Sequence, residues 1–466
     1  MNDRNTARSH AATGTRPTLA AVLGVLMLVV AAFPVEARQG GAATPAGQAT
    51  QSSAASSGVV TFNSDHTYQM LDPTTWTNRK VLLLLDHRQD GMIGDKAVVL
   101  GGAVTAIMDY QKSDTAAKFG YLMRHPTASN EVGSEVSEAV IHSAQLSVTG
   151  TPTSWVTAYA ELLYDPEQSF GAGTTTALTR NQVQLRRGYV LMGDLAKSPV
   201  YFALGKMDTP FGLTDTVNPF TASTVWHAFG GLAYGAQAGY SRAGLDVTAM
   251  AVQGGSQFRA ANTPVEGTAV PSKLNNYVVD ANYTAGLGSG GATLMAGASY
   301  ERGSTYCQGY PVTHFSACEA ANPAFDVYGE LYAAGVTVIA EFARTRDAWP
   351  GTFNPDLPAF AASKVTSWDL GGKYRASVAG RPVDLSLDFS RFLAGPEGAP
   401  WHRQDQLVAG IAPRLGPGTK FFAEFIHVAG YAPLNFISGG NLGIGETHSD
   451  NGASSNLVVF GVNVAF

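Results

Sequence analysis

The sequence predicts an all-β chain closed into a transmembrane antiparallel β-barrel of about sixteen strands, with fourteen or eighteen as the neighbouring counts. Three observations predict it. Charged residues make up 14% of the 466 residues against an ordinary hydrophobic share of 45%, where a soluble domain carries roughly a quarter charged residues. Segments of about ten residues alternate apolar and polar positions and are bracketed by aromatics. The connections between them alternate short and long, as short periplasmic turns and long outer loops would. Disorder needs low hydrophobicity with high charge, and a multi-pass helical membrane protein needs strongly positive hydropathy, so both are excluded. A net charge of −6 gives no reason to expect nucleic acid.

From the N-terminus, Arg4, Arg8 and Arg16 precede the apolar run from Leu19 to Phe33 and then Val35-Glu36-Ala37. That run is short for a spanning helix, which needs about 20 residues, but suits a signal peptide over residues 1–37 with cleavage after Ala37. An uncleaved anchor is the alternative. Residues 38–57 are almost wholly Gly, Ala, Ser, Thr and Gln and read as a flexible leader. Residues 58–96 contain Asp72-Pro73, which resembles a helix start, and the apolar run Val81–Leu85. A short periplasmic helix and a plug-like segment inside the barrel both fit them.

From residue 97 to 466 the alternation places strands at 97–110, 136–149, 154–164, 180–193, 199–206, 232–241, 244–254 and 275–284. The second half follows at 290–301, 325–333, 335–346, 365–376, 381–393, 404–413, 418–428 and 456–466. Val383-Asp384-Leu385-Ser386-Leu387-Asp388-Phe389 shows the pattern strictly, and Trp368 to Arg375 shows it with charge on the polar face. A soluble sandwich alternates too, but its outer face is normally dense in Lys and Glu. Arg187 and His142 fall on the nominal lipid face, either through snorkelling at a rim or through a slip of register. Assigning the interior by parity gives ten acids there: Asp109, Glu161, Asp246, Asp280, Glu301, Glu341, Asp369, Asp384, Asp388 and Glu424. The bases are Arg186, Lys373 and Arg375. Charged rings bias a pore toward the opposite ion, so this wall favours cations.

Between the fifth and sixth strands, the stretch 207–231 carries Asp208, Pro210-Phe211-Gly212, Asp215, Asn218, Trp226 and His227. Pro-Phe-Gly makes a rigid turn with an apolar anchor, which can fold the loop back against the barrel wall. Asp208, Asp215, Asn218 and His227 would then narrow the lumen; the alternative is an ordinary outer loop. Cys307 and Cys318 share another long loop, and in an exported chain they read as a loop-stapling disulfide.

Enzymatic chemistry is not expected. There is no His-Glu-x-x-His, no P-loop and no Gly-x-Ser-x-Gly. The pairs His142-Ser143 and His448-Ser449 would face opposite ways on a strand. No cofactor or metal is expected.

Gly205-Lys206-x-Asp208-x-Pro210-Phe211-Gly212 after a strand, preceded by Arg186-Arg187-Gly188-Tyr189-Val190, resembles the LbtU-type siderophore porins of Gram-negative outer membranes. It is similar, more distantly, to the phosphate-selective porins. The C-terminal Phe466 with Val464, Val462 and Phe460 resembles the signal by which the barrel-assembly machinery recognises such chains. The resemblance covers roughly residues 97–466 and implies a passive channel for small solutes set in outer-membrane lipid, with iron–siderophore uptake and a homotrimer as family options. The acidic interior departs from phosphate selectivity. An adhesin or structural barrel without an open pore is the alternative of a different class.

Overall fold

The computed structural model describes residues 60–116, 133–164, 183–253, 274–288, 290–307, 321–353, 359–431 and 450–466. A short strand and two helices come first: β1 (Val60–Phe62), α1 (Ser64–Leu71) and α2 (Lys80–Gln89). Then follow β2 (Ala97–Ser113), β3 (Glu135–Thr153), β4 (Val156–Tyr164), β5 (Val183–Met192) and β6 (Val200–Asp208). After a third helix, α3 (Thr224–Phe229), come β7 (Leu232–Arg242), β8 (Leu245–Gln253), β9 (Leu274–Leu287), β10 (Ala292–Glu301) and β11 (Ala324–Ala333). The chain ends with β12 (Val336–Thr345), β13 (Thr366–Val378), β14 (Arg381–Leu393), β15 (Arg403–Gly416), β16 (Thr419–Tyr431) and β17 (Asp450–Ala465).

Strands β2 to β17 pair antiparallel with their sequence neighbours, and β17 returns to pair with β2, Ala465 opposite Ala103 and Ser455 opposite Ser113. Sixteen strands therefore close into a barrel with no free edge. Closure matters because every backbone donor and acceptor in hydrocarbon needs a partner. β1 adds a three-residue parallel pairing to Val98–Leu100. Among the described residues no helix is long and apolar enough to cross a membrane.

Tight turns close one end. Ala243-Gly244, Ala334-Gly335 and Ala379-Gly380 each hold both residues at positive φ and join strands that end and restart one residue away. That is the mirror-image hairpin turn whose twist matches the flanking strands. The outer wall carries Leu146, Leu204, Leu370 and Leu387 at mid-height, all more than half exposed. Tyr283 and Tyr374 stand on it near the tight turns, and Tyr110, Tyr277, Tyr300 and Phe325 near the opposite end. An outward apolar band between aromatic girdles suits a bilayer.

Two expectations are corrected by β-bulges. Between β2 and β3 the register skips His142, with Thr105 opposite Ser143 and Ala106 opposite Ile141. Between β4 and β5 it skips Arg186, with Glu161 opposite Arg187 and Leu162 opposite Leu185. An inserted residue reverses the parity beyond it. His142 and Ser143 therefore both face inward, 3.4 Å apart, rather than in opposite directions. Arg187 is buried in the interior instead of lying on the lipid face.

Beyond β1, which pairs with the wall, residues 64–89 lie inside the barrel at its tight-turn end. Asn63 caps α1, its side chain accepting from the His66 amide at 3.0 Å. Asp72-Pro73 does not open a helix. The Asp72 carboxylate accepts from the Thr74 amide at 2.9 Å, an Asx-type turn that closes α1 and delays the second helix to Lys80. Val81 to Leu85 are buried on all sides of α2. The lysine that opens α2 is itself buried, its ammonium donating to the carbonyls of Gln69, Asp72 and Thr75 at 2.6–2.9 Å.

Candidate pore interior

The stretch after β6 folds into the barrel. Phe211 is fully buried and packs on Phe229 of α3, ring centroids 5.8 Å apart. Gly212 adopts φ +71°, and a Cβ there would strike Glu341, so the turn needs a glycine on both counts. From there the loop lies along the wall of β10 to β16, and the wall grips its backbone.

Each grip is a wall side chain, from β10, β12, β14, β15 or β16, aimed at a loop amide or carbonyl. The Gly212 amide donates to Ser299 Oγ at 2.8 Å, and Ser299 in turn donates to Asp280 at 2.6 Å. Glu341 accepts the Thr214 amide on both oxygens at 3.0 Å. Glu424 accepts the amides of Phe220 (2.7 Å) and Thr221 (3.1 Å) together with the Thr221 hydroxyl. Lys420 donates to the Pro219 carbonyl at 2.8 Å and Gln406 to the Ala222 carbonyl at 2.9 Å. The Thr224 amide donates to Ser390 Oγ at 3.1 Å. Phe220 stacks on Phe422 at 5.0 Å and meets the inward-facing His142 edge-on at 4.8 Å. Charge-assisted bonds from carboxylate to amide are the stronger class of hydrogen bond, so Glu341 and Glu424 clamp the loop to the wall.

The four residues read as narrowing the lumen are all engaged. Asp208 binds Arg187 bidentately at 2.6 and 2.7 Å, and Arg187 also reaches Glu161 at 2.8 Å. Asp215 accepts from the Thr77 amide (2.8 Å) and hydroxyl (2.9 Å) and pairs with Arg79 at 3.2 Å, tying the loop to residues 60–96. The Asn218 side chain donates to the Thr221 carbonyl at 3.1 Å, an internal brace of the loop. His227 is buried in α3, edge-on to Trp226 at 4.8 Å.

The parity set divides by position. Glu161, Asp280, Glu301, Glu341, Asp369, Asp388 and Glu424 are buried behind the loop or among the inner segments, as is Asp109 farther round the wall. Asp246 borders a small cavity with Arg79, Leu82 and Asp280. Toward the tight turns Arg375 binds Asp384 at 2.7 and 2.9 Å, Arg414 approaches the same carboxylate at 3.8 Å, and Lys373 is partly buried nearby. Arg186 stands 3.7 Å from Glu161. The parity set omitted inward acids Glu138, Asp326 and Glu330 and inward bases Arg187, Arg414 and Lys420. Asp326 and Glu330 alternate with the outward Phe325, Val327 and Leu331, so that signal was readable. Three of each sign leave the acid excess unchanged.

Residues 60–96 complete the filling. Asn78 donates to the carbonyls of Phe211 and Gly212, and the Thr216 amide donates back to the Thr74 carbonyl at 2.9 Å. Arg88 reaches Thr157 Oγ at 2.7 Å and the Thr153 carbonyl at 2.8 Å. A chain of neutral imidazoles links α1, α2 and the wall. His66 Nε2 lies 3.0 Å from Thr149 Oγ, its Nδ1 lies 2.8 Å from His87 Nδ1, and His87 Nε2 lies 3.2 Å from Gln69 Oε1. The network assigns the protons: Thr149 donates to His66, His66 to His87, and His87 to Gln69. Burial, reinforced by His87, holds His66 down at about 3, and burial, reinforced by Lys80, holds His87 down at about 4. Burial alone would raise the Asp72 carboxyl, but Lys420, Lys80 and the Thr74 bonds bring it to about 2. A cavity of about 20 Å³ between Pro73, Arg186, Asp208 and Trp226 has room for about one water. Among the described residues no three His, Cys, Asp or Glu side chains are grouped to hold a metal.

Cys307 is buried beside the fully buried Tyr306, whereas Cys318 lies outside the described residues, as do the 1–37 and 38–57 segments and His448-Ser449. Phe460, Val462, Val464 and Phe466 lie on the outward side of the last strand, Val464 and Phe466 the most exposed.

No family model matches the chain, and no curated relative does. Among solved structures it is similar to an anion-selective porin from Comamonas acidovorans, with TM-score 0.49 and 13% identity over 79% of this chain and 99% of that one. It is similar to OprB of Pseudomonas putida, with TM-score 0.48 and 8% identity over 79% and 94%. OmpF of Salmonella typhi, in complex with daunomycin, gives TM-score 0.45 and 12% identity over 79% and 97%.

Proposed function

We propose that the chain is a porin-type channel of a Gram-negative outer membrane, passing small hydrophilic solutes passively through the barrel interior. One observation carries this reading: sixteen strands close into a cylinder whose outward side chains are apolar and whose interior is lined by polar and charged ones. A cylinder of that strand number encloses more space than its own wall side chains fill. Here the surplus is taken by loop 209–231 and residues 60–96. The loop, with Asp208, Asp215, Asn218 and His227, sets the narrowest width, and residues 60–96 act as an insert whose displacement opens the path. The remaining acid excess biases passage toward cations. Planar-bilayer recording in a salt gradient tests this: discrete steps with mild cation preference support it, and anion preference contradicts the acid-wall argument.

The packed interior favours one second reading, a non-conducting barrel serving as an adhesin or structural protein. Silence of purified, folded protein in bilayers, with and without the insert, would favour it. Iron–siderophore uptake rests on the motif resemblance and requires the packed insert to leave. Liposome swelling with an iron–siderophore complex against a small sugar decides it. The associated expectations are each open to measurement. N-terminal sequencing of the mature protein should begin at Arg38, and a non-reducing digest should link Cys307 to Cys318. Chemical cross-linking should reveal a homotrimer if protomers associate, and deleting Phe466 should impair delivery by the assembly machinery.

A further inference from the structure

The outward wall carries one cluster of charge that the channel reading does not use. Near the long-loop ends of β12 to β15, Arg344, Arg391, Asp405 and Arg403 occupy outward positions. Parity shows this directly, because their neighbours Thr345, Ser390, Phe392, Gln404 and Gln406 are all buried toward the interior. Arg391 lies opposite Trp368 on β13 and opposite Asp405 on β15, and Arg344 lies opposite Phe325. Arg391 grips Asp405 through Nε at 2.7 Å and Nη2 at 2.8 Å, and Arg403 reaches the same carboxylate at 3.4 Å. The Arg391 guanidinium also sits 5.8 Å from the Trp368 ring and 5.7 Å from the Phe389 ring, which are themselves 5.3 Å apart.

Charge on the lipid face is costly at the bilayer midplane, about 2–4 kcal/mol for Arg, and nearly free at the interface. The rings of Trp368, Phe389, Phe342 and Phe325 mark that interface. One carboxylate among three guanidiniums leaves a net charge of +2 on these positions. Arg391 is 31% and Arg403 39% exposed, so donors not aimed at Asp405 face the surrounding medium. The bidentate Asp405 contact and the flanking rings also fix the Arg391 plane in advance, which lowers the entropy cost of holding an anion. No solute inside the barrel can reach this face. What lies against it is the headgroup layer, and the anion that layer offers is phosphate.

We propose that Arg344, Arg391 and Arg403 form a binding site for the phosphate of an anionic lipid headgroup in the outer leaflet. Asp405 acts as the positioning residue, and Trp368 and Phe389 support the acyl boundary below it. The inference rests on the membrane placement proposed above but not on conduction. In nanodiscs of mixed phosphatidylglycerol and phosphatidylcholine, native mass spectrometry of the full chain should show phosphatidylglycerol retained above its share of the mixture. The Arg391→Gln/Arg403→Gln pair should cut that enrichment at least fivefold. Arg391→Lys/Arg403→Lys should keep part of it, because charge survives while the planar donor fork does not. Retention by the glutamine variant equal to the parent overturns the proposal, and so does loss of the bound lipid on adding millimolar inorganic phosphate, which would make the site one for free phosphate. Heat-modified gel mobility shows whether each variant is folded. Insertion into pure phosphatidylcholine discs is read separately. Failure to insert anywhere defeats the membrane placement, whereas insertion without enrichment defeats only this site.

Discussion

Two segments occupy the barrel interior, and they are held in different ways. Loop 209–231 is bound to the wall itself: Ser299, Glu341, Ser390, Gln406, Lys420 and Glu424 come from β10, β12, β14, β15 and β16, and each takes a backbone amide or carbonyl of the loop. Residues 60–96 are bound largely to themselves, through Lys80 on three local carbonyls and Asp72 on Thr74. Their outward ties are the three-residue β1 pairing to β2, side-chain contacts to Thr149, Thr153 and Thr157, and a latch on the loop at Asp215, Asn78 and the Thr216 amide. Backbone bonds to a closed wall cannot be released without unsatisfied amides. Apart from the β1 pairing and the Thr216–Thr74 bond, the outward ties of the N-terminal segment are side-chain contacts that can exchange for water. The comparison marks the loop as a fixture and the N-terminal segment as an insert.

The largest expected effect would come from breaking the fixture. Glu424→Ala orphans the amides of Phe220 and Thr221 and the Thr221 hydroxyl in a buried site. Each lost partner costs about 1–3 kcal/mol, so denaturant unfolding should shift by several kcal/mol, while Glu424→Gln, which keeps an acceptor, should shift less. Equal losses would show that the carboxylate's acceptor role is not what holds the loop.

Acid should loosen the insert and spare the fixture. His66 and His87 titrate in the folded chain near 3 and 4, below the ordinary histidine value of 6.5. The unfolded segment therefore binds more protons between 6.5 and those values, and stability falls as pH drops through that window. The slope is about 1.4 kcal/mol per pH unit for each histidine. Hydrogen exchange at pH 7.5 and pH 5 should show protection over 64–89 reduced at least tenfold, with the amides of Thr214, Phe220 and Thr221 little changed. Unchanged protection over 64–89 would remove the histidine chain as a determinant.

Weakening the latch should matter less. Asp215→Asn keeps an oxygen for the Thr77 amide and hydroxyl and loses the buried charge-assisted bond to Arg79, about 1.5–3 kcal/mol. Limited proteolysis should cut 72–79 at least tenfold faster in the variant, with loop 209–231 unaffected. Smallest of all is Asp95→Ala. Its bond to Arg88 involves a carboxylate 55% exposed, so less than about 1 kcal/mol is at stake, and the same proteolysis assay should barely move. A large effect there would place the hold on the insert at the rim rather than at Asp215.

Strand identity was legible because period-two alternation is imposed by lipid on one side and polar groups on the other. The segment read at 381–393 matches β14 (Arg381–Leu393) residue for residue. The last strand begins at Asp450 instead of 456, since the Asp-Asn-Gly-Ala-Ser-Ser stretch has no apolar face to betray it. The bulges at His142 and Arg186 left one trace, the misplaced His142 and Arg187, for which a slip of register was one of two readings; the inserted residue itself is fixed only once both flanks are paired. Interior parity was readable, and its acids do face inward, but parity says nothing about what they meet. That Glu341 and Glu424 would bind loop amides depends on the inward fold of 209–231, which Pro210-Phe211-Gly212 only hinted at. Residues 60–96 stayed ambiguous because the run Val81–Leu85 is buried all round, a pattern shared by any helix enclosed on every side.

On this reading, a wide barrel is occupied by a removable segment. Planar-bilayer conductance of the full chain, beside a chain in which residues 60–90 are replaced by a Gly-Ser linker, tests it most directly. Small or infrequent steps are expected from the full chain and steps several-fold larger from the replaced one, both folded by gel mobility. Equal conductance, or silence from a folded barrel lacking the segment, would contradict it.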